Sequence, residues 1–176
     1  MSVVTMEYLI LVDYESDAER KRIDYLLDKW GEQARIQKPR GVVVIIDVEE
    51  PQRFIEELFS RLEGNVTEKV EVYSLKRLRT NIKPQRKSLG FRINEEKKVV
   101  ERFVEYLISK LNANYLGVED GFKSYSVYTR KGSALIRVLV KGNGNSKVVF
   151  EIEGYGDAVD FLAQKISEEL ELFAGD

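Results

Sequence analysis

Residues 122 to 154 read FKSYSVYTRKGSALIRVLVKGNGNSKVVFEIEG, and this stretch decides how the second half of the chain folds. It contains three runs rich in β-branched and aromatic residues, and glycine-containing turns, KGS and GNGN, separate the runs. Turns of this composition are typical of β-hairpins. The sequence therefore predicts three consecutive antiparallel strands, at about residues 122 to 130, 134 to 141 and 147 to 153.

Helical patterns flank these strands. Apolar residues recur at helical spacing from residue 95 to 112 and again from Asp157 to about Phe173. A short strand is predicted at residues 88 to 93, before the first of these helices. The glycines of Gly154-Tyr155-Gly156 are expected to form a turn and not a phosphate cradle. Residues 88 to 176 are thus predicted to form an α+β domain of βαβββα order, with a three-stranded antiparallel sheet and two helices.

The first 78 residues predict a different unit. Ser16 and Glu19 form the S-x-x-E pattern of a capping box, so a helix should begin there and end at Gly31. Pro51 opens a second helix, which Gly64 should end. Strands are predicted at residues 7 to 13, 34 to 38, 42 to 48 and 69 to 75, the third of them buried on both faces. The order βαββαβ is that of a ferredoxin-like fold.

The fold class predicted for the chain is therefore α+β. A ferredoxin-like domain at residues 1 to 78 is followed by a basic linker at 79 to 87 and by the second α+β domain.

Composition excludes several classes of chemistry. The 176 residues include no Cys and no His, which rules out thiol nucleophiles, disulfides, thiolate metal sites and imidazole bases. Catalysis would then depend on carboxylates, most simply on carboxylates that hold Mg²⁺ or Mn²⁺. No apolar run is long enough for a membrane span and the first residues do not resemble a signal peptide, so a cytoplasmic location without a membrane partner is expected. The abundance of Lys, Arg and Glu is a weak indication of a thermophilic source.

Positive charge is concentrated in the middle of the chain, although the formal net charge is −2. Residues 76 to 92, the basic segment, contain seven cations and no acid: Lys76, Arg77, Arg79, Lys83, Arg86, Lys87 and Arg92. This density suits contacts with the phosphates of DNA or RNA. A solvated linker or a surface for an acidic protein partner has the same composition.

Carboxylates follow two of the predicted strands. Asp13 ends the first strand, and Asp47 and Glu49 follow the buried one. In a ferredoxin-like sheet these strands are parallel neighbours, so the three side chains would share one edge. Such a cluster could bind Mg²⁺ or Mn²⁺. Acids at these positions also serve as helix caps or remain solvated.

The segment from Met6 to Leu75 resembles the small CRISPR-associated Cas-two family, the ferredoxin-like partner of the CRISPR integrase. The matching motifs, in order, are LILV-Asp13, Arg20-Lys21-Arg22, Leu26-Leu27, Gly31, Arg35-Ile36-Gln37 and Val72-Tyr73-Ser74-Leu75. The resemblance implies that Asp13 is a metal-ligating, catalytic acid at a homodimer interface. It also implies that Arg20 and Arg22 face nucleic acid.

A second resemblance is to Toprim domains, with Asp13 in place of a strand-end Glu and Asp47-Val48-Glu49 in place of Asp-x-Asp.

Three functional hypotheses follow from the sequence. The first is a nucleic-acid-associated binding module or assembly subunit, as a homodimer or in a larger complex. The second is a metal-dependent nuclease that uses Asp13, and the third is a protein-interaction subunit with no nucleic-acid role.

Overall fold

The computed structural model describes residues 7–175, which divide between two compact units, Met1–Ser74 and Leu75–Asp176. The fold class is α+β, as the sequence predicts: the described residues contain a five-stranded antiparallel sheet and four α-helices. Within these residues, no helix combines the length and the apolar composition that crossing a bilayer requires.

The first unit contains the two predicted helices, α1 (Asp17–Trp30) and α2 (Pro51–Phe59), and a 3₁₀ turn, Val66–Glu68. The capping box at α1 is confirmed, because Ser16 Oγ accepts a hydrogen bond from the Glu19 amide at 3.2 Å. The Glu19 carboxylate in turn accepts from the amide of Glu15, one residue before the usual position. Gly31 is the C-cap of α1, while α2 ends five residues before Gly64.

The four strands predicted for the first unit are not present as strands among residues 7–84. The run from residue 42 to 48 was expected to be buried, and this is wrong: Val42 is 90% exposed and Val44 60% exposed. The physical reason is that a strand obtains its hydrogen bonds from a partner strand, and an apolar run does not specify that partner. The ferredoxin-like order of this unit is not confirmed and stays a prediction.

The second unit has seven elements. They are β1 (Gln85–Ile93), α3 (Lys97–Lys110), β2 (Asn114–Glu119), β3 (Phe122–Thr129), β4 (Gly132–Lys141), β5 (Ser146–Gly154) and α4 (Ala158–Ala174). The strands form one sheet in the order β1-β5-β4-β3-β2, antiparallel throughout. Strands β2 to β5 are successive hairpins, and β1 adds to the free side of β5.

The second unit therefore contains one strand more than the predicted βαβββα order. β2 was missed because Gly117 interrupts its strand pattern, at the point where the strand changes register between Tyr115 and Gly117. The predicted linker also differs, since its last three residues, Gln85 to Lys87, begin β1. The two helices and the four predicted strands are confirmed to within three residues at each end, but the sheet has five strands and not the three predicted.

Both helices cover the same face of the sheet. Val100 and Leu107 of α3, Leu162 and Ile166 of α4, and Ile136 of β4 all have no exposed surface and belong to one core. The helices are joined by stacked Phe103 and Phe173 rings, with centroids 4.0 Å apart, and by an ion pair between Lys110 and Glu169. The opposite face of the sheet, which we call the open face, carries neither helix.

Candidate nucleic-acid interface

The first part of the basic segment lies directly before β1. Residues 75–84 have no regular secondary structure, and Lys76, Arg77, Arg79 and Lys83 are all exposed. None of the four forms an ion pair within residues 7–175. Because no acid lies between them in sequence, their charges add. These four cations are therefore accessible to a negatively charged ligand.

The next two cations are neutralised within the fold. Arg86 pairs across β1 and β5 with Glu153, with Nε and Oε2 2.9 Å apart. Lys87 points to the other face and pairs with Asp160 of α4, with an Nζ–Oδ1 distance of 2.7 Å. Both were predicted to contact phosphate, but their side chains already have anionic partners. Each cation therefore belongs to an exposed ion pair, one across β1 and β5 and one between β1 and α4.

Arg92, the last cation of the segment, lies near the far end of β1. The strand rises about 3.3 Å per residue, so Arg92 is roughly 23 Å from Gln85, where the exposed cations end. Arg92 lies directly opposite Lys147 of β5, which in turn lies opposite Lys141 of β4. We call these three residues the cationic row.

Lys141 and Lys147 were not identified from the sequence. A signal was present, because the two lysines flank the GNGN turn at positions that pair in a hairpin. Arg92 could not have been added to them, since its place beside Lys147 depends on β1 pairing with β5 across most of the domain.

Arg20 and Arg22 lie on α1, in the first unit. Both are exposed, and Arg20 belongs to the first turn, where its amide bonds to the Ser16 carbonyl at 3.0 Å. The exposure of both side chains is compatible with the nucleic-acid contact that the family resemblance implies.

The carboxylates predicted to bind metal are exposed on segments without strand structure. Asp13 follows the run from residue 8 to 12, and Asp47 and Glu49 lie before α2. In the described part of the chain, no three acidic side chains form a group that could hold a metal ion. The convergence expected at a shared sheet edge depends on strands that the structure does not contain. The catalytic role of Asp13 and the metal site of Asp13, Asp47 and Glu49 stay predictions.

The open face also contains a second ion pair, which lies between the cationic row and the Arg86–Glu153 pair. Arg137 of β4 pairs with Glu151 of β5 at 2.9 Å, and its guanidinium carbon lies 4.7 Å from the centre of the Phe122 ring. Charges are therefore balanced in this half of the face, by Arg137–Glu151 and by Arg86–Glu153. In the described part of the chain, the residues of the cationic row form no such pair.

Comparison with known proteins adds no family. No protein-family model matches the chain, and no curated protein matches its sequence.

Proposed function

We propose that this chain is a nucleic-acid-binding module, and that the exposed cations Lys76, Arg77, Arg79 and Lys83 contact phosphates of DNA or RNA. The observation that supports this proposal is the availability of those cations: they are exposed, unpaired in the described structure and free of neighbouring acids. The fold pairs Arg86 and Lys87, whereas these four form no ion pair among the residues that the structure describes.

Contacts of this type position a nucleic acid without reading its sequence. The net charge of −2 does not oppose them strongly, because at physiological salt the screening length is about 8 Å and a bound phosphate responds mainly to nearby charges. We expect modest affinity, little sequence preference and a steep dependence on salt.

The test is fluorescence anisotropy of the full chain with labelled duplex DNA and single-stranded RNA, between about 50 and about 200 mM salt. Replacing Lys76, Arg77, Arg79 and Lys83 by Ala should weaken binding and reduce the slope of log K against log[salt] by about one unit for each lost contact. A control with the same charge change elsewhere, Arg61, Arg102, Arg130 and Lys165 to Ala, should bind as wild type. Equal binding by the two quadruple variants would reject the proposal.

A second candidate function is a protein-interaction subunit without a nucleic-acid role. It is supported by the exposed apolar side chains of the first unit, among them Ile10 at 76% and Val42 at 90% exposure. Salt dependence separates the two functions, because an apolar interface does not weaken steeply as salt rises.

A further inference from the structure

The cationic row is the one place on the open face where like charges stand directly opposite each other. Lys147 faces Arg92 on one side and Lys141 on the other, in adjacent antiparallel pairs. Their neighbours in sequence fix the face: Ile93, Ser146 and Val148 point into the core, so the three cations point away from it. The row is about 10 Å long, since neighbouring strands lie about 4.8 Å apart.

No anion lies within ion-pair distance of these cations among residues 7–175. All three side chains are exposed, and none takes part in an ion pair. Of the nearest acids in sequence, Glu95 and Glu96 lie between β1 and α3, and Glu151 pairs with Arg137. The backbone carbonyl of Glu95 accepts a hydrogen bond from Ser146 Oγ at 2.8 Å. Like charges placed opposite each other destabilise a sheet. The arrangement therefore costs stability.

Two residues further along β1, β5 and β4, the next row of residues on the open face is uncharged. By the register of the sheet it consists of Gly90, Val149 and Leu139, and on β3 Phe122 follows, one residue before the pair of Lys123 with Val138. Two residues along a strand amount to about 6.6 Å, so this apolar row runs parallel to the cations at that distance. Val149, Leu139 and Phe122 are half-buried. Gly90 has no side chain, and no atom lies within 4 Å of where its Cβ would be, so the surface beside Val149 is recessed.

We propose that this corner of the open face binds a single-stranded nucleic acid. The cationic row contacts its phosphates, and its bases lie on Val149, Leu139 and Phe122. This inference rests on the proposed nucleic-acid function but concerns a different surface from the exposed cations before β1. A row of cations beside an apolar row matches a strand whose bases are free to leave the stack. A duplex presents phosphates to the same surface but keeps its bases inside.

The experiment uses the full chain and labelled oligo(dT) and oligo(U) of about 12 nucleotides, a length within the usual site sizes, with a duplex of equal length for comparison. The row variant is Arg92→Gln, Lys141→Gln and Lys147→Gln together. Its control has the same charge change at Arg61, Arg102 and Lys165. We expect the row variant to bind single strands about tenfold more weakly, with a salt slope lower by about 2, because each single-strand contact contributes about 0.7. The control should bind as wild type.

Thermal unfolding shows whether the row variant fails to bind because it fails to fold. Removing the repulsion should leave its Tm equal to or above that of wild type, so weaker binding together with undiminished stability supports a binding role. A lower Tm would contradict the repulsion on which the inference depends.

A second variant, Leu139→Ala with Val149→Ala, tests the apolar row. It should weaken single-strand binding severalfold at an unchanged salt slope and leave duplex binding unaltered. If both binding modes stay as in wild type, the bases do not lie on this row and the proposal fails.

The remaining outcomes separate this inference from the proposed function. If the row variant binds single strands as wild type while the variant of Lys76, Arg77, Arg79 and Lys83 does not, the proposed function stands and the inference is overturned. If wild type binds none of the three probes at low salt, both the proposed function and this inference are overturned.

Discussion

Arg137 of β4 and Glu151 of β5 stand directly opposite each other and form an ion pair, with Nη1 and Oε2 2.9 Å apart. The Arg137 Nε atom is buried and has no hydrogen-bond partner among residues 7–175. The side chains are 31% and 43% exposed, so solvent screens the pair and its contribution should be modest. A double-mutant cycle with Arg137→Met and Glu151→Gln should give a coupling energy of about 0.5–1 kcal/mol.

The single change Arg137→Met should cost little, or even stabilise, because Met keeps the apolar stem beside Phe122 and removes the unsatisfied Nε. Urea denaturation of the four proteins of the cycle measures both quantities. A loss above about 3 kcal/mol for Arg137→Met would mean that the guanidinium is essential to the sheet.

Gly154 at the end of β5 should not tolerate a side chain. A Cβ there would lie 2.8 Å from the Ser133 carbonyl oxygen and 3.1 Å from the Ala134 Cβ. The backbone would have to move, so Gly154→Ala should lower the free energy of unfolding by about 1–3 kcal/mol. Gly90→Ala on β1 is the matched control, since its Cβ would meet nothing within 4 Å. It should be neutral or stabilise by up to about 1 kcal/mol. Equal losses in both variants would contradict this explanation.

Aspartate substitutions distinguish the buried sheet from the apolar run of the first unit. Ile136 has no exposed surface, so Ile136→Asp should destabilise by more than about 4 kcal/mol through an unpaired buried charge. Val44 is 60% exposed, so Val44→Asp should change stability by no more than about 0.5 kcal/mol. The measurement is urea denaturation followed by circular dichroism. A severe effect at Val44 would instead support the ferredoxin-like sheet that the sequence predicts.

The ion pair between α3 and α4 should weaken at high pH. A hydrogen bond to Glu169 raises the pKa of Lys110 above its ordinary value of 10.5. Because the pKa is higher in the folded state, the stabilisation is complete below 10.5 and is lost as pH rises through the raised value. In Glu169→Gln the Lys110 pKa, followed by NMR, should move toward 10.5. An unchanged pKa would show that Glu169 is not its cause.

The sequence predicted best what local patterns determine. Capping at Ser16, Pro51 at the start of α2, and the hairpin turns of the second unit all depend on neighbouring residues, and the structure confirms them. The sequence did not predict which distant segments pair, because apolar composition does not identify a partner strand. For this reason the run at residues 42 to 48 was misjudged.

The candidate site also combines features that the sequence predicts with features that only the fold determines. The seven cations of the basic segment were visible as composition, but whether each one has a partner depends on the fold. Glu153 and Asp160, which neutralise Arg86 and Lys87, lie more than 60 positions further along the chain. Lys141 and Lys147 join Arg92 only through the pairing of β1 with β5.

Strand β1 is an edge of the sheet, with its second side free of any partner strand among the described residues. An exposed edge of nine residues invites pairing with the edge of another copy, which is a common route to aggregation. Charged side chains along such an edge, here Arg86, Lys87 and Arg92, oppose that pairing, because a neighbouring copy would exclude the water around them. Removing these charges should therefore reduce solubility at high protein concentration even where the isolated molecule becomes more stable.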